Sequence, residues 1–187
     1  MKADAASLFL GGVAICWSAH HVLATERRQP PASSVTQIRG YRSWVRVTPA
    51  PVLIVDPQIV LCAAAAPPRS VPASPHAGKY IRVYVNRSGK QPMLRAKEPR
   101  FPVGTIIVKE KLAAEKDTVP ELLTVMEKKA AFFDPKHGDW QYSVFDGQGQ
   151  PVATGSVAHC QTCHEKVTKG DFVFRNYLPK SLRSALR

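Results

Sequence analysis

Trp140-Gln141-Tyr142-Ser143-Val144-Phe145 is followed by Asp146-Gly147-Gln148-Gly149 and then by Val152–Val157, and it runs straight into Ala158-His159-Cys160-Gln161-Thr162-Cys163-His164. In the first piece Trp140, Tyr142 and Val144 alternate with Gln141, Ser143 and Phe145, the period of two that sends successive side chains to opposite faces of a strand. Asp146-Gly147-Gln148-Gly149 supplies the residues that tolerate a tight reversal, which predicts a hairpin with Val152–Val157 as its return strand. The sheet thus hands the chain directly to a segment rich in sulfur and imidazole.

Two cysteines separated by two residues, with a histidine directly after the second, form the attachment signature of a c-type haem. The thiols of Cys160 and Cys163 would add across the two vinyl groups of a single haem, and His164 would lie below the ring as the proximal iron ligand, because neutral imidazole suits iron. Two other chemistries share the pattern. With His159 included, His-Cys-x-x-Cys-His offers nitrogen and sulfur to zinc, but ligands so close in sequence struggle to surround a tetrahedral metal, and no second Cys/His pair follows at finger spacing. A dithiol redox pair opens a helix after a strand within a βαβ unit, a context this sequence lacks. One covalently attached haem c per chain is therefore the expected cofactor.

Upstream, Lys79–Asn86 places Ile81, Val83 and Val85 on one face and Tyr80, Arg82 and Tyr84 on the other, the pattern of a half-buried strand. Asn86-Arg87-Ser88-Gly89 ends it, and Lys90–Lys97 is expected to form a brief helix with Pro92 in its first turn. Phe101-Pro102-Val103-Gly104 reads as a turn feeding Thr105–Lys111, where β-branched Thr105, Ile106, Ile107 and Val108 predict another strand. Glu121–Lys129 fits a helix or a strand by pattern; its short apolar run after Thr118-Val119-Pro120 favours a strand. Phe132–Asp139, with Pro135 and Gly138, is a turn-rich link. Strands predominate and no internal repeat is visible, which is unusual for a small c-type cytochrome.

The N-terminal part has a different character. Met1-Lys2, an apolar Ala5–Trp17 and Val22-Leu23-Ala24 outline a secretory signal cleaved after Ala24, so residues 1–24 are expected to be a signal peptide, although Asp4 and His20-His21 depart from the pattern. The apolar run is shorter than the roughly 20 residues of a membrane span. Val13-Ala14-Ile15-Cys16 has the outline of a lipoprotein site, but Ile15 is too large for the position before such a cysteine. Residues 25–36 read as a disordered leader, and residues 37–187 as a single haem-binding domain, in which 37–78 form a Pro-rich wrap and 79–187 the main sheet and haem motif. Nine of the 16 prolines lie between Pro30 and Pro75, a density that excludes long regular elements there. Gln37–Trp44 is the exception, a short predicted helix carrying Ile38, Tyr41 and Trp44.

Export and haem attachment support each other, since c-type haem is attached outside the bacterial cytoplasm, and the expected location is the periplasm. Of the 4 cysteines, Cys16 leaves with the signal, Cys160 and Cys163 hold haem, and Cys62 remains among apolar neighbours, where burial is expected. The net charge of +12 raises nucleic acid as a partner, but no aromatic-interleaved basic motif or recognition helix accompanies it, and none is expected. A solvated basic surface is the simpler reading; docking to an acidic redox partner protein or an anionic membrane is the functional one.

The order of motifs resembles the cytochrome P-460 family, which includes the beta-type cytochromes c-prime. The matching pieces are Tyr41-Arg42-Ser43-Trp44, Tyr80–Asn86, Phe101-Pro102-Val103-Gly104-Thr105 running into Ile107-Val108-Lys109-Glu110-Lys111, Met126-Glu127-Lys128, Gly138-Asp139-Trp140, and Cys160–His164 followed by Asp171-Phe172-Val173-Phe174. The resemblance implies an α+β, β-rich fold: a mainly antiparallel sheet with a few short helices, haem packed on the sheet, and commonly a homodimer. It also implies a role for Lys109, which aligns with the lysine joined to the porphyrin edge in hydroxylamine-oxidising members. Thr105, Ile107 and Lys109 share one strand face, which is compatible with that role; an exposed charge near a strand end is the ordinary alternative. The family's distal carboxylate aligns with Thr124, and Glu127 faces the other way on a regular strand. Loss of that acid removes general catalysis worth typically 10²–10⁴-fold.

The expected function is an exported mono-haem cytochrome with an open distal iron site that binds or oxidises small nitrogen species, hydroxylamine or nitric oxide. A non-catalytic nitric oxide-binding protein and a plain electron carrier are the rivals; the missing acid at Thr124 favours binding over turnover. Met93 or Met126 as a sixth iron ligand would make the carrier, though methionine at such positions is more often core. His76 and His137 are read as loop histidines or distal-side residues, His159 as the residue entering the motif, and Trp140, Tyr142, Phe172 and Phe174 as packing around core and haem.

Overall fold

The computed structural model describes residues 37–55 and 78–186. The expected signal peptide with Cys16, the leader, and the part of the wrap holding Cys62 and His76 lie outside the described residues. Among those described, seven strands form one antiparallel sheet: β1 (Val45–Arg46), β2 (Val52–Ile54), β3 (Lys79–Val85), β4 (Ile106–Leu112), β5 (Leu122–Lys128), β6 (Trp140–Asp146) and β7 (Pro151–Gly155). From β3 to β7 each strand lies beside the one before it, while β1 and β2 both pair with the outer edge of β3. Among the short helices of the described fold are α1 (Lys90–Leu94), α2 (Ala158–His164) and α3 (Lys180–Ala185), with 3-10 turns at Tyr41–Ser43, Pro135–His137 and Glu165–Gly170. The β-rich architecture expected from the resemblance is the one observed, and Glu121–Lys129 is a strand.

Both faces of the sheet are covered. One buries Ile81, Val83, Val85, Ile107, Met126, Trp140 and Tyr142 together with Met93, Phe101, Val173 and Leu178. The other buries Ile106, Val108, Leu123, Val125 and Phe145 beneath Ile38, with Tyr41 and Trp44 packed alongside. Each fully buried aliphatic or Phe side chain is worth roughly 1.5–3 kcal/mol of apolar transfer. The alternation read from β3, β4 and β6 is therefore the partition between two cores, not between core and water.

Three local expectations shift. The helix predicted over Gln37–Trp44 breaks at Gly40, whose φ of 76° cannot continue a right-handed helix, and resumes as a single 3-10 turn at Tyr41–Ser43. The Pro-rich wrap contributes only β1 and β2, two and three residues long, in keeping with a proline density that excludes long regular elements. They succeed because the segment between them substitutes a side chain for the ladder: Val47 N donates to Val83 O at 2.7 Å, and the hydroxyl of buried Thr48 accepts from Val83 N at 3.1 Å. Pro49 and Pro51 then fall where no backbone donor is needed. The helix expected over Lys90–Lys97 stops at Leu94; Arg175 donates to the carbonyls of Pro92, Ala96 and Lys97 at 3.2, 2.6 and 3.0 Å, satisfying groups at its end.

The return strand begins at Pro151 and ends at Gly155, where φ reaches 105°. Its pairing slips by one residue between Val144 and Phe145. The turn before it is held by Asp146, whose Oδ1 accepts from Gln148 N at 2.9 Å and Gln150 N at 2.8 Å. Ending the strand early leaves room for α2 to start at Ala158, with Val157 O accepting from both Cys160 N and Gln161 N.

Candidate functional site

The ladder places Lys109 opposite Val83 on one side and Thr124 on the other, and Thr124 opposite Val144. Two residues along the strands, Ile107, Met126 and Tyr142 form the next row. Side chains two apart share a face, so Lys109 and Thr124 project from the surface that carries Tyr142 and Met126. The attachment helix α2 packs on this surface: Cys160 touches the core cluster, and the His164 ring lies 5.3 Å from that of Tyr142, centroid to centroid. Both cysteines are free thiols and partly buried.

His164 is oriented from behind. Its Nδ1 lies 2.6 Å from Phe172 O, and a carbonyl can only accept, so Nδ1 carries the proton and the lone pair resides on Nε2. The ring of Phe174 meets it edge-on at 5.1 Å. Burial pushes the His164 imidazole down to about 4, the Phe172 carbonyl opposes that shift, and the Lys109 charge reinforces it. The imidazole is thus neutral at ordinary pH, as a metal ligand must be.

Lys109 belongs to the same neighbourhood. Its ammonium is pushed down to about 8 by burial, with the thiols of Cys160 and Cys163 opposing and Lys111 adding to the effect. Burial likewise pushes the Cys160 thiol up, with Lys109 pulling it back. The Tyr142 hydroxyl, only 2% of whose residue is exposed, has no hydrogen-bond partner among the described residues. A buried hydroxyl left so costs about 1–3 kcal/mol unless something satisfies it. Two vinyl-reactive thiols, an imidazole with a free Nε2, an apolar sheet face and an orphaned phenol fit a haem held at this surface.

The other residues singled out from sequence divide clearly. Met93 is fully buried in the core cluster, and Met126 is buried beside Tyr142. His159 is exposed, and among the described residues no three His, Cys, Asp or Glu side chains are grouped to hold a metal ion. Trp140 is fully buried and donates through Nε1 to Asp171 O at 2.8 Å. Glu127 projects from the opposite face and pairs with Lys129 at 2.9 Å. His137 stands between carboxylates: Nδ1 is 2.7 Å from Asp134 Oδ2 and Nε2 is 2.9 Å from Glu165 Oε1.

Sequence reading missed the shell around α2. Gln161, one of the two variable positions of the motif, is buried and donates to Asp134 Oδ2 at 2.8 Å, tying the attachment helix to the loop that carries His137. Asp171 and Phe172 both adopt left-handed backbone, φ 53° and 62°, a conformation that aspartate visits more readily than most residues and phenylalanine rarely. A second sequence trace of this arrangement is Gly138, at φ 67°, where a Cβ would come within 2.4 Å of the Phe172 ring.

No curated protein matches the chain. The family model for Cytochrome P460 does, over residues 38–175, a span from the first turn covering the sheet to the residue after Phe174. That match covers well over half of the sequence and includes every strand and the whole of the attachment helix. The chain belongs to the cytochrome P460 family, and its cofactor class is the c-type haem of that family.

Proposed function

We propose that this protein is an exported, periplasmic cytochrome carrying one haem, fixed through Cys160 and Cys163 with His164 as proximal ligand, that binds small nitrogen species such as nitric oxide and oxidises hydroxylamine feebly or not at all. The observation that carries this reading is the pairing on one sheet face of Lys109 and Thr124 beneath a histidine whose Nε2 is left free by the Phe172 hydrogen bond. Bound haem would supply an iron able to take a small ligand and to accept electrons.

What the chain's own residues do follows from their chemistry. The His164 lone pair holds the metal, and the Phe172 carbonyl fixes the tautomer. Lys109, with a pKa of about 8, has an appreciable neutral-amine fraction near neutral pH and so suits both a hydrogen bond to the ring edge and a covalent link to it. Thr124 supplies a hydroxyl where a carboxylate would serve as proton acceptor, and a hydroxyl is no base at pH 7. Glu127 does not replace it from the other face. Binding therefore outranks turnover. Burial of Met93 and Met126 in the core cluster supports a site without a sixth methionine ligand, the feature a plain electron carrier would need. A homodimer and an acidic redox partner protein belong to the same proposal, the second motivated by the net charge of +12.

Oxidised and reduced optical spectra of protein matured in the periplasm test it. A ferrous five-coordinate high-spin haem that survives acid–acetone extraction and binds nitric oxide is expected; a low-spin ferrous spectrum that changes only on replacing Met93 or Met126 would establish the electron carrier instead. Thr124→Glu should raise hydroxylamine turnover by about 10²-fold, the lower end of general acid–base catalysis.

A further inference from the structure

The Phe172 carbonyl that holds His164 does not sit on a helix or strand. It lies in a backbone turned the wrong way twice, at Asp171 and Phe172, with φ of 53° and 62°. Left-handed conformation costs a non-glycine residue about 1–2 kcal/mol, and it persists only where surrounding contacts over-determine it. Here those contacts converge on one side chain. The Asp171 carboxylate accepts from Phe101 N at 2.8 Å and from Lys128 Nζ at 2.8 and 2.9 Å, while its backbone carbonyl accepts from Trp140 Nε1 at 2.8 Å. Asp171 N and Phe172 N are themselves spent on Thr168 O and Val167 O, at 3.0 and 3.1 Å. Asp171 is 7% exposed, so these bonds form in a poorly solvated place, where charge-assisted bonds are strong.

Each partner comes from a different part of the fold. Phe101 belongs to the turn before β4, Lys128 ends β5 and Trp140 begins β6. Gly138 completes the cradle, because any Cβ there would strike the Phe172 ring. The sheet therefore grips the loop after the attachment helix at one carboxylate, and the loop presents one carbonyl to the proximal imidazole at a short 2.6 Å.

We propose that Asp171, held by Lys128, is the positioning residue for the proximal ligand: it sets the strength of the Nδ1–H bond from His164 to the Phe172 carbonyl and so lowers the reduction potential of the iron. The inference rests on the reading of His164 as proximal ligand. A stronger Nδ1–H donation raises imidazole basicity, and a more basic ligand favours the ferric state. Partners that orient a ligand in this way are typically worth 10–100-fold in metal affinity or activity.

The test is the midpoint potential and the iron–histidine stretching frequency of holoprotein carrying Asp171→Asn, Lys128→Met or Lys128→Arg. Asp171→Asn should favour the ferrous state at least tenfold, a rise of about 59 mV for one electron, and lower the stretching frequency. Lys128→Met separates positioning from simple field effects: removing a cation lowers the potential through its field, whereas releasing the loop raises it. A rise with Lys128→Met and a near-native value with Lys128→Arg support the proposal. A fall with Lys128→Met, or reduced thermal stability in both neutralised variants with potential and stretching frequency unchanged, would overturn it and leave Asp171 a structural residue only. Should Asp171→Asn fail to fold, the Met and Arg variants at Lys128 decide alone, and equal potentials in the two refute the proposal. Wild-type holoprotein with no iron–histidine mode would overturn the haem reading itself, and this inference with it.

Discussion

Lys109 and Glu110 are neighbours on β4, and they face opposite cores. Glu110 is fully buried: its Oε1 accepts from the Tyr41 hydroxyl at 2.6 Å and from Arg42 Nε at 2.7 Å, while Oε2, with no hydrogen-bond partner among the described residues, forms an ion pair with Arg82 Nη1 at 3.5 Å. Two of these come from the turn that folds over the sheet, so the cluster fastens that turn and the strand together. Lys109 instead shares its face with two thiols and an imidazole, and burial pushes its ammonium down to about 8. The contrast separates two placements of a charge on the same strand. A carboxylate enclosed by cations of the same chain is architecture, expensive to break and of little use to a ligand. A half-buried amine beside thiols carries its charge at a cost, and the same burial raises its neutral fraction.

The largest expected effects fall on opposite sides of that division. Joint replacement of Cys160 and Cys163 by serine should abolish covalent haem, read as complete loss of haem from denaturing gels, while far-ultraviolet circular dichroism keeps its sheet signature. Glu110→Gln should do the reverse. It replaces the charge-assisted bonds from Tyr41 and Arg42 to a carboxylate by bonds to a neutral amide and is expected to lower stability by about 2 kcal/mol in urea unfolding, the scale of hydrogen bonds to a charged group, with the haem spectrum unaltered. A cysteine variant that loses the sheet, or a Glu110→Gln variant with a shifted haem spectrum, would break the comparison.

How far the sequence reaches is visible in the same pair. Alternation in Lys79–Asn86 and Trp140–Phe145, and the β-branched run of Thr105–Lys111, mark the main strands, because period two and β-branched content are local properties of strands. The Cys160, Cys163 and His164 triplet was legible because its chemistry is local too. Glu110 was not singled out for its burial: its partners lie at Tyr41, Arg42 and Arg82, and only the pairing of β3 with β4 and the turn at Gly40 brings them together. Asp171 was hidden for the same reason, with partners at positions 101, 128 and 140. Strands β1 and β2 are two and three residues long, too short to show an alternation in sequence, and the Thr48 hydroxyl that takes over a ladder bond between them is paired only in the fold. What eluded sequence reading is what depends on long-range placement of a polar group.

An intermediate effect sharpens the contrast by sign. Lys109→Met in haem-free protein should raise stability at pH 7 by about 1 kcal/mol, since a lowered lysine pKa means that the folded state carries its charge at a cost; Glu110→Gln lowers it. In the holoprotein, Lys109→Met should leave haem attached through Cys160 and Cys163 while giving an ordinary c-type spectrum. An unchanged spectrum that was already ordinary would show that Lys109 is not bonded to the ring, and would place the chain with the ligand-binding members. Urea midpoints of Lys109→Met at or below wild type would show that Lys109 is not held at a cost.

The smallest expected effect is the pH dependence of the haem-free chain, which follows from the direction of each shift. His164 falls from 6.5 to about 4 on folding, so between those values the unfolded chain binds more protons than the folded one, and stability should rise with pH from about 4 to 6.5 and then level off. Lys109 falls from 10.5 to about 8, so its penalty is fully present below 8 and is relieved as pH climbs above it. The rise should be interrupted near pH 10, where the phenols of Tyr41, Tyr142 and Tyr177, all pushed up by burial, begin to favour the unfolded chain. Urea midpoints measured every half unit from pH 4 to 10 should therefore show two rising segments separated by a plateau. His164→Leu should flatten the lower segment alone and Lys109→Met the upper alone. An upper segment that survives in Lys109→Met would assign it to another base, and the face that holds the thiols would then lack the poised amine that distinguishes it from the Glu110 side.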